Sequence, residues 1–227
     1  MLDSNPSGIN RSGFFIYKIV IEYYLMKKLV NIVLTLMLLS AASISAAADA
    51  DGKFAVKGAG KRLCSNFIVA ANEKTTDYYL YGGWLEGYLS SYNSFQSDNY
   101  DITPWQTTEL MLAFLLQHCH SNPDTHFLSA VNSLIKTLFP IRLTKESELV
   151  SINVNNATSY YYTEIMTRAK ERLKHLGFIE GNITSGYNED DIKAFTAFQK
   201  SIGLKPTGVP DQQTLASLFL RPTNNKN

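Results

Sequence analysis

Four side chains able to bind a metal or to act as nucleophile and base crowd into one stretch, His118, Cys119, His120 and His126, and the only other cysteine is Cys64. A cysteine beside a histidine can become a thiolate nucleophile, and cysteine with histidines can hold zinc. Spacing argues against both. On a helix only residues three or four apart converge, so residues 118, 119 and 120 face different ways. An even pair of cysteines in an exported chain reads instead as one disulfide, Cys64 with Cys119, which removes the nucleophile. The carboxylates Glu86, Asp98, Asp101, Glu109 and Asp124 are scattered, whereas glycoside cleavage needs two flanking one bond. There is no His-Glu-x-x-His helix for a zinc hydrolase and no histidine before His118. No catalytic residue, metal or cofactor is expected.

Export is read from the start of the chain. Lys27 and Lys28 precede an apolar run, Leu29 to Ile44, and then the small residues Ser45 to Ala48, the order of a secretory signal peptide. Cleavage after Ala48 leaves Asp49 as the new terminus. A spanning helix wants about 20 apolar residues, and Asn31, Thr35, Ser40 and Ser43 interrupt this run. Met26 is itself followed by a basic and apolar start at which translation can begin, so residues 1–25 are set apart from fold reasoning, within a leader and signal peptide over 1–48. Contact with a membrane is expected only through this transient segment. Of 21 basic and 20 acidic residues, Arg11, Lys18, Lys27, Lys28, Asp3 and Glu22 fall in the leader, and the remainder is close to neutral. That balance gives no support to nucleic-acid binding, which wants a concentrated basic face.

The elements around the cysteines are helical. Residues 61–71 carry Leu63, Phe67, Ile68 and Ala71 on one side. Thr75, Thr76 and Asp77 offer an N-cap to a helix over 78–92, whose apolar face takes in Leu80, Tyr81, Trp84, Leu85, Tyr88 and Leu89. Gly82, Gly83 and Gly87 within it suggest close approach by another element. A polar loop follows to Pro104, and the next helix covers 107–120. Asn122 and Pro123 carry a helix-start signature for a helix to Phe139 that Pro140 stops. The expected fold class is therefore mainly α, with a disulfide-linked four-helix domain over 61–140. A linker over 141–162 holds a β-hairpin, from the alternation of Leu149 to Val154, a turn at Asn155 and Asn156, and a return from Ala157 to Tyr161.

Over 163–222, three further helices are expected. Ile165, Ala169, Leu173 and Leu176 form one face, ending at Gly177. Ile192, Phe195 and Phe198 form the next, stopping near Gly203. Asp211 caps a short last helix with Leu215 and Leu218. The bundle packs about Leu173, Leu176, Phe195, Phe198 and Leu215, and about 60 residues can fold alone.

The runs RLKHLGF, GNITSGYNEDDIKAFTAFQ and KSIGLKPTGVPDQQTLASL closely resemble the peptidoglycan-binding domain found beside amidases, lysozymes and transpeptidases of bacterial envelopes. Leu176, Gly177, Phe178, Ala194, Phe195, Phe198, Gln199, Gly203, Leu204, Thr207, Gly208, Asp211 and Thr214 match its motif in order and spacing. Where that family has an Ile-Asp-Gly loop this chain reads Ile183, Thr184, Ser185. The family's Gly-x-x-Thr helix start reads Asn188, Glu189, Asp190, Asp191. Asn188 tolerates a left-handed backbone, and Asp190 or Asp191 can replace the threonine as cap. The resemblance implies that peptidoglycan is the partner and that Tyr187, Asn188, Asp191 and Gln199 line its site. The plainer alternative makes Tyr187 a core residue and Gln199 a tie for the loop backbone.

Cys64, the run from Gly83 to Leu89, Cys119, Asn122 and Pro123 more faintly resemble small helical, disulfide-tied periplasmic proteins, among them type VI secretion immunity proteins and acid-stress chaperones. The resemblances together imply a non-enzymatic periplasmic or secreted protein that binds the wall through residues 163–222 and a protein partner through residues 61–140. Trp84, Tyr88, Tyr92, Tyr100 and Trp105 are available for that partner. A wall hydrolase (amidase, peptidase or muramidase) carried by the module, or an immunity protein against such an enzyme, are the alternatives.

Overall fold

The computed structural model describes residues 22–33, 49, 51–154, 157–184 and 186–220. Residues up to Ala55 form one unit and Val56–Asn227 another. In the first, residues 22–33 are helical and exposed. The Asp49 carboxylate accepts from the amides of Asp51 and Lys53, closing a small turn. Most of the apolar run and the cleavage segment lie outside the described residues. Among those described, no helix is long and apolar enough to cross a membrane.

The second unit is mainly α-helical. A 3₁₀ turn at Gly58–Lys61 leads to α1 (Cys64–Glu73), α2 (Thr76–Phe95), α3 (Thr108–Ser121) and α4 (Phe127–Leu138), with a further 3₁₀ turn at Phe139–Ile141. Cys64 and Cys119 are joined, with Cα atoms 5.0 Å apart, tying α1 to α3. Around them pack Phe67, Tyr81, Leu85, Leu115, Phe127, Val131 and Leu138, all buried.

Several local readings are corrected. Thr75 is the N-cap of α2, yet its side chain accepts no cap hydrogen bond. Leu80 lies 56% exposed, off the buried face. Gly82 does let Leu112 and Thr108 approach, but Gly83 and Gly87 face open space. Asn122 and Pro123 do not start α4, because these residues are used in a turn. The amide of Ser65 donates to the Pro123 carbonyl and that of Cys64 to the Thr125 carbonyl. The helix therefore begins only at Phe127, behind a bridge between Leu63 and His126.

One glycine is required by packing rather than by its backbone angle. A Cβ at Gly60 would stand 2.1 Å from Trp84 Cζ2. The Trp84 ring cannot easily yield, since it stacks on Tyr88, meets Phe127 edge-on and donates from Nε1 to the Lys57 carbonyl. Gly60→Ala is expected to cost about 1–3 kcal/mol through overpacking, read as a lower urea midpoint with unchanged slope.

Strands β1 (Leu149–Val154) and β2 (Ala157–Tyr162) form an antiparallel hairpin in the register Leu149 to Tyr162 through Val154 to Ala157. The turn residues Asn155 and Asn156 lie outside the described residues. Then come α5 (Thr163–His175), α6 (Glu189–Ser201) and α7 (Gln212–Phe219). Their core holds Ile165, Met166, Ala169, Leu173, Phe195, Phe198, Leu215 and Leu218, together with Ile152 of the hairpin. Leu176 is not part of it. At the helix C-cap it is 43% exposed. Instead, Gly177, at φ +81°, turns the chain so that Phe178 meets Phe198 edge-on at 5.6 Å.

Trp105 is 6% exposed and packs with Phe219 in this second core, so it is unavailable to a partner, while Tyr100 is 39% exposed. The Gln212 side chain fixes this junction. Its amide donates to the Trp105 carbonyl, and its Oε1 accepts from the Thr107 amide at 2.9 Å.

Candidate functional site

The loop between α5 and α6 is where this chain departs most from the motif it resembles, and it borders a cleft of 470 Å³. Phe178, Ile179 and Ala194 give the cleft an apolar floor, and Glu180, Asn182, Thr184, Asn188, Asp190 and Lys193 give it a polar rim.

The helix start beside it is made by a capping box. Asn188 is the N-cap, its Oδ1 accepting from the amides of Asp190 and Asp191, while the Asp191 carboxylate accepts from the Asn188 amide at 2.9 Å. This arrangement satisfies amides that the first turn leaves without partners. Asn188 therefore has an extended backbone, φ −124°, rather than the left-handed one expected of it, and Gly186, at φ +84°, makes the turn.

Beneath the loop lies a residue that the sequence reading passed over. Lys170 of α5 is buried, its side chain 2% exposed. Its ammonium donates to the Thr184 carbonyl at 2.6 Å, to the Gly186 carbonyl at 2.9 Å and to Asp191 Oδ2 at 3.2 Å. One cation thus ties the loop backbone to the capping box. A signal was present, because Lys170 follows Met166 by four positions and precedes Leu173 by three, placing it on the apolar face.

The four expected site residues do not come together. Asn188 and Asp191 line the cleft; Tyr187 and Gln199 do not. Gln199 is fully buried, and its Nε2 lies 2.8 Å from the Val209 carbonyl, 2.9 Å from Thr214 Oγ1 and 3.1 Å from Thr207 Oγ1. Its Oε1 accepts from the Gly208 amide at 2.9 Å. These bonds hold the segment between α6 and α7, where a Cβ on Gly208 would meet Ile192 at 2.7 Å. Gln199→Leu would leave the Gly208 amide and the Val209 carbonyl without these partners. The expected cost is about 1–3 kcal/mol, measured by chemical denaturation.

Tyr187 packs on Phe195 at 5.6 Å, and its hydroxyl donates to the Gly208 carbonyl. Burial chiefly, then the nearby Asp191 and Tyr161, push its pKa well above the ordinary phenol range. Burial raises Tyr81, Tyr88, Tyr161 and Tyr162 as well. A phenol raised in the folded state stabilises the fold fully below its unfolded value of about 10, and that contribution falls as pH rises above it. An alkaline titration followed by tyrosinate absorbance is expected to show exposed tyrosines ionising first. The buried ones should follow together with loss of helical circular dichroism.

The cysteine and histidine cluster does not assemble. Cys119 is in the disulfide. His120 and His126 are exposed, and His126 Nδ1 faces the Lys61 carbonyl at 2.9 Å. Among the described residues no three His, Cys, Asp or Glu side chains are placed to hold a metal. Glu86 accepts from the Thr108 hydroxyl, Asp98 pairs with Arg142 and Asp101 caps its own loop at Thr103.

These features define a mainly helical protein, stapled by one disulfide, with a loop-bordered cleft on its C-terminal three-helix bundle. Residues 163–218 match the family model of a peptidoglycan binding domain, and residues 31–129 match that of the HdeA/HdeB family. Both resemblances drawn from the sequence are thereby found. No curated protein and no solved structure matches the chain.

Proposed function

We propose that this is a non-enzymatic protein of the bacterial cell envelope, exported by its N-terminal leader, that holds peptidoglycan through residues 163–222 and a protein partner through residues 61–140. The observation that carries the wall-binding part is the coincidence of the family match over 163–218 with a polar-rimmed, apolar-floored cleft at its most divergent loop. A floor for the apolar face of a sugar or an alanyl methyl, ringed by side-chain amides and charges, suits a glycopeptide. In this reading Asn188 and Asp191 shape the cleft and Asn182 and Lys193 touch the ligand, while Tyr187 and Gln199 brace the backbone behind it.

The test is co-sedimentation with purified sacculi. The full protein is expected to pellet and to release no soluble fragments. The doubly substituted N182A/K193A, altered only at exposed rim positions, should pellet several-fold less while keeping its unfolding midpoint. Equal pelleting of both proteins would remove the cleft from the binding surface, and released muropeptides would favour a hydrolase.

For the helical part, the match over 31–129 supports a role like that of the acid-stress chaperones, with unfolded protein as the partner. Light scattering from an acid-denatured client, with and without the protein, tests this. Undiminished aggregation would set that partner class aside and leave the immunity-type reading, which predicts inhibition of a wall hydrolase.

A further inference from the structure

A second cavity, of 250 Å³, lies where the two hydrophobic cores meet. It is lined by Trp105, Pro140, Ile141, Arg142, Thr144, Ile165, Arg168 and Phe219. None of these residues lines the loop-bordered cleft. Its walls are aromatic and aliphatic, and its lining contains two cations and no carboxylate.

Three donors in the lining have no acceptor among the described residues. Trp105 is 6% exposed, and its indole N–H is buried without an acceptor. Arg168 spends Nε on Glu164, at 2.9 Å, and Nη1 on the carbonyls of Ile141 and Arg142, at 3.1 and 3.0 Å. Its Nη2 has no acceptor among the described residues. Thr144, exposed at the rim, adds a hydroxyl. A buried donor left unpaired is costly and unusual in a folded protein; Trp105 lines the cavity, and its indole N–H, without an acceptor among the described residues, points to an acceptor that arrives from outside.

We propose that this cavity binds the free carboxylate of a peptide's C-terminal residue, one with a small apolar side chain. A carboxylate presents two acceptor oxygens in one plane, which suits a guanidinium edge and one further donor. Phosphate, with more charge and more oxygens to satisfy, is poorly served by so few donors and so much apolar wall. Pro140, Ile141, Ile165 and Phe219 line it with apolar surface, which suits a small apolar side chain. Arg142 contributes field rather than a contact, because its guanidinium is already bonded to Asp98 and to the Phe139 carbonyl. The proposal is independent of the wall-binding reading, since the two sites share no residue.

The chain contains two tryptophans, so the indole region of a proton–nitrogen correlation spectrum of the full protein holds a probe and its control. Trp84→Phe assigns the pair. Titration with N-acetyl-alanine is expected to move the Trp105 indole proton downfield, saturably, and to leave the Trp84 resonance in place. N-acetyl-alaninamide, which lacks the carboxylate, and inorganic phosphate are expected to move neither. Arg168→Gln should weaken the titration roughly tenfold or more. Because Arg168 also holds two backbone carbonyls, Thr144→Val at the exposed rim provides a second variant, expected to weaken binding several-fold with the fold intact. The proposal is overturned by an unmoved Trp105 resonance, by equal responses to acid and amide, or by an affinity that both variants leave unchanged.

Discussion

Replacing Lys170 by methionine is expected to lower the unfolding free energy by about 3–5 kcal/mol, the cost of breaking a buried ion pair from one side. The lysine stem is matched in length by methionine, so packing against Met166 and Leu173 survives and the effect isolates the ammonium. Its loss leaves the carbonyls of Thr184 and Gly186 without this donor and the Asp191 carboxylate, 8% exposed, with the Asn188 amide as its remaining donor among the described residues. Removing both charges is far less damaging than removing one. K170M/D191N is therefore expected to recover part of the loss, since asparagine keeps an oxygen for the Asn188 amide. A urea denaturation cycle over the four proteins measures that coupling. A loss under about 1 kcal/mol in K170M would show that the ammonium does not hold the loop. The same substitution should reduce pelleting with sacculi, because the rim of the cleft is the loop that Lys170 ties down.

That prediction concerns a residue whose position on the apolar face was legible but whose role was not, and the reason is physical. Periodicity identifies which helix faces are apolar, and it placed α1 to α7 and the hairpin to within a few residues. It treats lysine as solvent-facing by type. Spacing can put such a lysine on a buried face, but what it holds there depends on its acceptors, here two backbone carbonyls of the loop beside the Asp191 carboxylate, and backbone groups leave no trace in residue types. The same limit explains Asn122 and Pro123. Their signature is that of a helix start, yet the Pro123 carbonyl accepts from the Ser65 amide of α1, the Thr125 carbonyl accepts from that of Cys64, and the Asn122 carbonyl is taken by the Thr125 amide within the turn; the α1 partners lie far off in the chain, where local pattern does not reach.

The two cores met a similar limit. Trp105 stands in a loop between helices of the first core, where its type suits a partner-binding aromatic, but its ring packs on Phe219 in the second core and its carbonyl is held by Gln212. Local pattern cannot tell an interface aromatic from one that joins two parts of the same unit. Tyr187 and Gln199 illustrate the converse. Their place in the motif was legible, and what they do there is set by Gly208, whose carbonyl and amide they share. A motif of this kind marks residues needed to build the bundle as readily as residues that touch a ligand.

Removing the disulfide by C64A/C119A is expected to cost about 4 kcal/mol, from the entropy of a closed loop with a separation of 55 residues. Most of that cost acts through the unfolded chain, so spectra of the folded protein should be nearly unchanged while the midpoint of thermal unfolding falls by roughly 10 °C. The closed loop contains all of α2 and most of α3, and also Trp105, which belongs to the second core. Loosening it therefore weakens both cores. Since the contacts of Gln212 and Arg168 cross between them, a single calorimetric transition that moves as a whole is the expected result. A variant in which one transition shifts and a second stays fixed would mean that the wall-binding bundle is stable without its neighbour. The junction at Trp105 would then be a contact between independent domains, and truncation would be a fair way to study each. A single shifted transition has the opposite consequence, that the helical half and the bundle are stable only together and that partner binding at one is linked through the shared core to the other.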